Sequence, residues 1–115
     1  MMTIEKMGAQ GDVLFRRVAT VPPGFKAQET KGPHVVAHSE TGHHHSVDAT
    51  GVKLFTGDDP MVCYLQLVSV ESCDVVHQRP WDTHETMRLG GGAGSVFQVL
   101  RQREYTPEGW RRVED

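Results

Sequence analysis

Met61-Val62-Cys63-Tyr64-Leu65-Gln66-Leu67-Val68-Ser69-Val70 is rich in Val, Leu, Tyr and Cys and apolar on both faces of an extended chain. Such a run predicts a strand buried at the centre of a sheet. Cys63 shares strand parity with Met61, Leu65 and Leu67, so it reads as a small buried hydrophobe in reduced form. The only other cysteine is Cys73, and there is no CxxC spacing. Thr56-Gly57-Asp58-Asp59-Pro60 bounds the run on one side and Glu71-Ser72-Cys73-Asp74 on the other, both dense in turn formers.

Outward from this centre the chain reads as strands and turns. Upstream, Ala49-Thr50-Gly51 is a turn before the short strand Val52 to Phe55. Gly11 to Val18 alternates and then turns basic, as an edge strand does. Val21-Pro22-Pro23-Gly24-Phe25 breaks it, Lys26 to Gly32 is polar loop, and residues 1–9 are a loose leader. Downstream, Val75-Val76-His77 begins a short strand, Arg79 to Asp82 is a turn, and Thr83 to Leu89 alternates polar and apolar. Gly90-Gly91-Gly92-Ala93-Gly94 lacks the Lys-Ser/Thr and helix of a phosphate loop and reads as a flexible hairpin loop. Ser95 to Tyr105 is a long alternating strand, with Phe97, Val99, Arg101, Arg103 and Tyr105 on one face. Thr106 as N-cap and Pro107 at the first helical position predict a short helical turn from Pro107 to Val113. About eight short strands with closely spaced turns and no amphipathic helix predict an all-β fold. The expected architecture is a small single-domain β-barrel or β-sandwich over residues 10–115, with that C-terminal turn.

A chain of 115 residues is one domain and can bury a core without disulfides or metals as staples. Its formal net charge of −3 argues against a general nucleic-acid binder. Arg16-Arg17, Arg101/Arg103 and Arg111-Arg112 read as solvated faces. Met1 to Lys6 lacks the apolar core of a signal peptide, and no apolar run approaches the roughly 20 residues needed to span a membrane. The expectation is a soluble, cytoplasmic protein.

Seven histidines are present, five of them between His34 and His45. Pro33 to His38 reads as a strand, Ser39-Glu40-Thr41-Gly42 as a turn, and His43-His44-His45-Ser46-Val47 as the returning strand. With about 3.3 Å per residue and alternating faces, His43 and His45 share a face and His44 takes the other. If His38 closes opposite His43, then His34, His38, His43 and His45 lie on one face; a one-residue slip sets His38 beside His44 instead. The competing reading is a surface hairpin whose histidines are partly exposed.

Neutral imidazole is the commonest protein metal ligand. A metal site here needs ligands from separate strands on one face. His43 and His45 supply two and His84, which opens an alternating strand, supplies the third; His77, Asp48 and Glu85 are reserves. Three histidines with an open position describe an exchangeable or catalytic centre, and imidazole with a carboxylate suits zinc, iron, copper or nickel. Gln102 and Glu104 are placed to orient ligand imidazoles. No serine lies in a G-x-S-x-G elbow.

Two resemblances follow from these motifs. His43-x-His45 with His84 downstream is similar to the cupin metal site, although Asp48 is the nearest acid where cupins carry glutamate and Pro80 to His84 lacks the cupin glycine. Gln10-Gly11-Asp12-Val13, Thr41-Gly42-His43-x-His45 and Gln102-Arg103-Glu104-Tyr105 resemble a group of small bacterial and phage-borne proteins with no assigned activity. That second resemblance implies that His43, His45, His84 and the Gln-Arg-Glu-Tyr strand matter. The resulting expectation is a non-catalytic binding or accessory module, metal-dependent through His43, His45 and His84, that meets a protein partner or a second copy of itself. The alternatives are a cupin-like metalloenzyme and a phage-type structural protein without metal.

Overall fold

A computed structural model describes residues 2–10, 12–29, 32–37, 44–78, 83–101, 103–106 and 109–112; for residues 2, 77, 78, 83–85, 103–106 and 109–112 it describes the backbone alone. Those residues are all-β and contain no helix. One sheet holds β1 (Met2–Ile4), β10 (Thr83–Leu89), β9 (Cys73–Gln78), β6 (His45–Val47) and β5 (His34–Ala37), in that spatial order. The other runs β2 (Met7–Gln10), β3 (Val13–Val18), β11 (Val96–Arg101), β8 (Val62–Leu67), β7 (Val52–Thr56) and β4 (Lys26–Ala27). Neither sheet closes into a barrel among the described residues. The two share one core that takes Val36, Val47, Val75 and Met87 from the first and Val13, Phe15, Leu65 and Phe97 from the second. Two-layer packing of this kind is the usual way for sheets with one apolar face to bury it.

The apolar run Met61 to Val70 supplies β8, an inner strand between β11 and β7. Cys63, Leu65 and Leu67 enter the core as their parity predicts, with Met61 buried just before the strand. Its other face is covered too. Phe25 meets Tyr64 edge-on at 4.7 Å, and Gln98 Nε2 donates to the Tyr64 hydroxyl at 2.9 Å. Both cysteines are free and buried.

Several expectations change. Residues 1–9, read as a loose leader, supply β1 and most of β2, because Ile4 is buried and β1 pairs in parallel with β10. Strand β3 is therefore not an edge: β2 covers one side of it and β11 the other. The glycine run joins β10 in one sheet to β11 in the other, so it crosses between sheets instead of closing a hairpin. Gly91, Gly92 and Gly94 all have positive φ, which glycine alone adopts without strain. The helical turn after Thr106 is absent from the described residues; β12 (Arg103–Thr106) and β13 (Gly109–Arg112) pair as antiparallel strands there, with Tyr105 opposite Trp110. A favourable cap sequence is a weak local preference, and strand pairing outweighs it.

Candidate functional site

The site begins in the tight turn between β2 and β3. Gln10 pairs with Val13, so the connection is only two residues long, and it delivers Gln10 and Asp12 to the interior at 4% and 5% exposure. From the facing sheet, β6 sends His45 inward at 1% exposure. Gln10 Nε2 donates to the Val75 carbonyl at 2.9 Å, which orients its amide and leaves Oε1 as the acceptor. His45 Nδ1 lies 2.8 Å from that oxygen and therefore carries the proton it donates.

The other ring nitrogen, Nε2, faces Asp12 Oδ1 at 3.6 Å, and both side chains are 2% exposed or less. The second carboxylate oxygen, Oδ2, is 4.0 Å from Nη2 of Arg101, whose side chain is only 6% exposed. Arg101 thus leaves the solvated face expected for it. Its strand parity with Phe97 and Val99, both buried, carries it into the interior beside an acid.

The histidine hairpin forms, with a register that the sequence half anticipates. His34 pairs with Val47 and Val35 with Ser46, as a closure of His38 on His43 requires; an irregularity then shifts the ladder so that Ala37 faces His45. His38 and His43 lie outside the described residues. His34 is buried, and its Nε2 sits 2.9 Å from the Val52 carbonyl across the core. The surface-hairpin reading fails for His34 and His45, because both are used to tie one sheet to the other.

His84 is the second residue of β10. Its backbone lies directly opposite His77, and His77 lies directly opposite His45. One row of the ladder therefore crosses three adjacent strands through His45, His77 and His84. The neighbouring row, Val47, Val75 and Met87, is buried at 3% exposure or less. The side chains of His77, His84, Glu85 and Glu104 lie outside the described set, as does Gln102. Among the described side chains no group of three or more His, Cys, Asp or Glu has an arrangement that would hold a metal ion.

Beside this cluster a cleft of about 350 Å³ opens between β5 and the start of β8, walled by Val35, Val36, Ala37, Val62, Cys63 and Arg101. Burial pushes the Cys63 thiol up to about 12, and its Sγ lies 3.5 Å from the Val36 carbonyl as a weak donor.

The model of the family described as Domain of unknown function (DUF8820) matches residues 9–102. The chain belongs to the DUF8820 family. That match spans the whole cluster, from Gln10 and Asp12 through His45 to Arg101. No curated protein and no solved structure matches the chain. Among the described residues of this DUF8820 chain, no helix is long and apolar enough to cross a membrane.

Sequence reasoning missed Gln10, Asp12 and Arg101 as parts of the site. A signal existed for the first two: Gly11-Asp12 between an extended segment and Val13 to Val18 is a two-residue hairpin signature. Read that way, it ends β2 at Gln10 and places an acid at the tip of a tight turn. Arg101 had only its parity to declare it.

Proposed function

We propose that this DUF8820 domain is a non-catalytic binding module that takes the apolar part of a ligand into the cleft between β5 and β8. The observation that carries this reading is the composition of the cleft wall. Val35, Val36, Ala37, Pro60 and Val62 supply apolar surface, and Asp59 and Arg101, the latter set beside Asp12, supply the polar groups. Ligand sites commonly combine such walls with a few polar groups, at volumes of roughly 300–1,000 Å³. The nucleophile-type group on the wall, Cys63, is held as a thiol with its pKa near 12, and the thiolate is the reactive species. Binding suits that wall better than covalent chemistry does. Strand β5 is the outermost strand of its sheet among the described residues, so an extended segment of a protein partner or of a second copy is a fitting ligand. Neither a cupin-like reaction nor a phage structural role has an observation of its own in its favour.

The probe for this reading is 8-anilinonaphthalene-1-sulfonate, whose aromatic rings suit the apolar part of the wall. Saturable fluorescence enhancement at one site is expected with the native protein and is lost in Thr56→Trp, which fills the rim of the cleft, with near-ultraviolet circular dichroism unchanged. Absence of saturable binding, or equal binding by Thr56→Trp, overturns the proposal.

A further inference from the structure

Strand β2 ends the second sheet among the described residues, with β3 on its inner side. The Arg17 N–H donates to the Lys6 carbonyl at 2.7 Å, and antiparallel partners alternate between bonded and non-bonded pairs. Lys6, Gly8 and Gln10 therefore direct their backbone groups to β3, and Met7 and Ala9 direct theirs to the open side. Each of those two residues offers one N–H and one C=O along the edge.

Sheet edges of this kind are usually blunted by charge, proline or a bulge. Met7-Gly8-Ala9-Gln10 carries neither charge nor proline, and its register with β3 is regular. A side chain at Gly8 would point at Ile4 in the core, so by alternation Met7 and Ala9 stand on the outer face. Met7 is 63% exposed and Ala9 is exposed beside it. Register makes Ala9 the end of an apolar row that runs through Leu14 and Leu100 to Val62. That row stops at the edge on its smallest member. Met7 begins the next row on this face, with Arg16, Gln98 and Tyr64.

We propose that β2 pairs with β2 of a second copy of this chain, antiparallel about a two-fold axis at Gly8. In that register Met7 of each copy lies opposite Ala9 of the other. The partial charges are then complementary along the whole edge, every outward N–H meeting an outward C=O. Met7 of one copy also prolongs the apolar row of the other beyond Ala9, a large side chain beside a small one. Lys6 falls opposite Gln10, so no like charges meet. A pairing this short belongs with the weak interfaces that bury less than about 1,200 Å², so the dimer forms and parts with concentration. Because both copies use the same patch, growth stops at two. The proposal does not rest on the cleft beside β5, which is the opposite end of its sheet from β1.

The test is sedimentation velocity of untagged full-length protein between about 10 µM and about 1 mM, where weak complexes become populated. A monomer–dimer equilibrium with no larger species is expected. Ala9→Pro removes an outward N–H and no bond to β3, a place where an edge strand tolerates proline, and is expected to weaken the dimer about tenfold or more. Met7→Lys blunts the edge with charge and is expected to act in the same direction. Both should keep the native circular dichroism. Where a variant fails to fold, amide exchange of the native protein decides. Raising the concentration should slow exchange at Met7 and Ala9 and leave Gly8 and Gln10, bonded to β3 throughout, unchanged. A monomer at the highest concentration overturns the proposal, as does growth beyond two copies. So does undiminished association of folded Ala9→Pro, or concentration-dependent protection that appears at β5 and not at Met7 and Ala9.

Discussion

His45 Nδ1 lies 2.8 Å from Oε1 of Gln10, a residue 35 positions earlier and in the opposite sheet. The same glutamine amide donates to the Val75 carbonyl at 2.9 Å, so one side chain satisfies two buried groups. Gln10→Leu keeps the size and strands both of them. A stranded buried donor or acceptor costs about 1–3 kcal/mol, so a total loss of about 2–6 kcal/mol is expected for the two. Urea denaturation of the two proteins measures it.

Neither cysteine should react while the protein is folded. Burial raises the Cys63 thiol to about 12, and burial together with the neighbouring Asp74 charge raises Cys73 to about the same value. Labelling by a disulfide reagent at pH 8 is expected to be slow in the native state and fast for both in urea. Cys63→Ser should cost roughly 1–3 kcal/mol, because a hydroxyl in that position is incompletely paired.

Gly8 sits against Ile4, and a methyl group added at Gly8 would run into the end of the Ile4 side chain. Ile4 is 3% exposed and has little room to withdraw. Gly8→Ala is expected to destabilise the protein by about 1–3 kcal/mol through overpacking. Ile4→Val in the same chain should recover part of that loss, and a thermal-melt double-mutant cycle reads the coupling.

The Asp48 carboxylate accepts from the Thr50 backbone N–H at 2.8 Å, and that bond lowers its pKa from the ordinary carboxylate value. A lowered folded-state pKa contributes stability that is present above the unfolded pKa and is lost as pH falls through the folded one. Carbon NMR titration should find Asp48 ionised below the pH at which an unstructured aspartate protonates, and Asp48→Asn should remove that acid-side dependence.

The strands were readable where one periodicity decided them. Phe97 and Val99 on β11 alternate with less buried neighbours, while Cys63, Tyr64 and Leu65 on β8 form an apolar run buried on both faces. The bounds of β10 came directly from its flanking turns. What local pattern does not encode is which sheet faces which. Gln10 and Asp12 look like ordinary polar residues until a strand from the other layer sets His45 against them. The ladder irregularity after Val35 was equally hidden, since nothing in Val35-Val36-Ala37 distinguishes a bulged strand from a regular one. Residues 1–9 misled for another reason: β1 and β2 have only three and four residues, too few for alternation to stand out, and they belong to different sheets.

The parallel pairing of Met2–Ile4 with Met87–Leu89 also orders events during synthesis. At about 5–20 residues per second, roughly 4–17 s separate the making of the two segments. The outer strand is thus already waiting on its tether when β10 leaves the ribosome, and the edge of β10 is capped as soon as it forms. A chain that stalls before Met87 keeps Ile4 in water with no strand to join. Strand β1 thereby reports whether translation has reached the far side of the sheet.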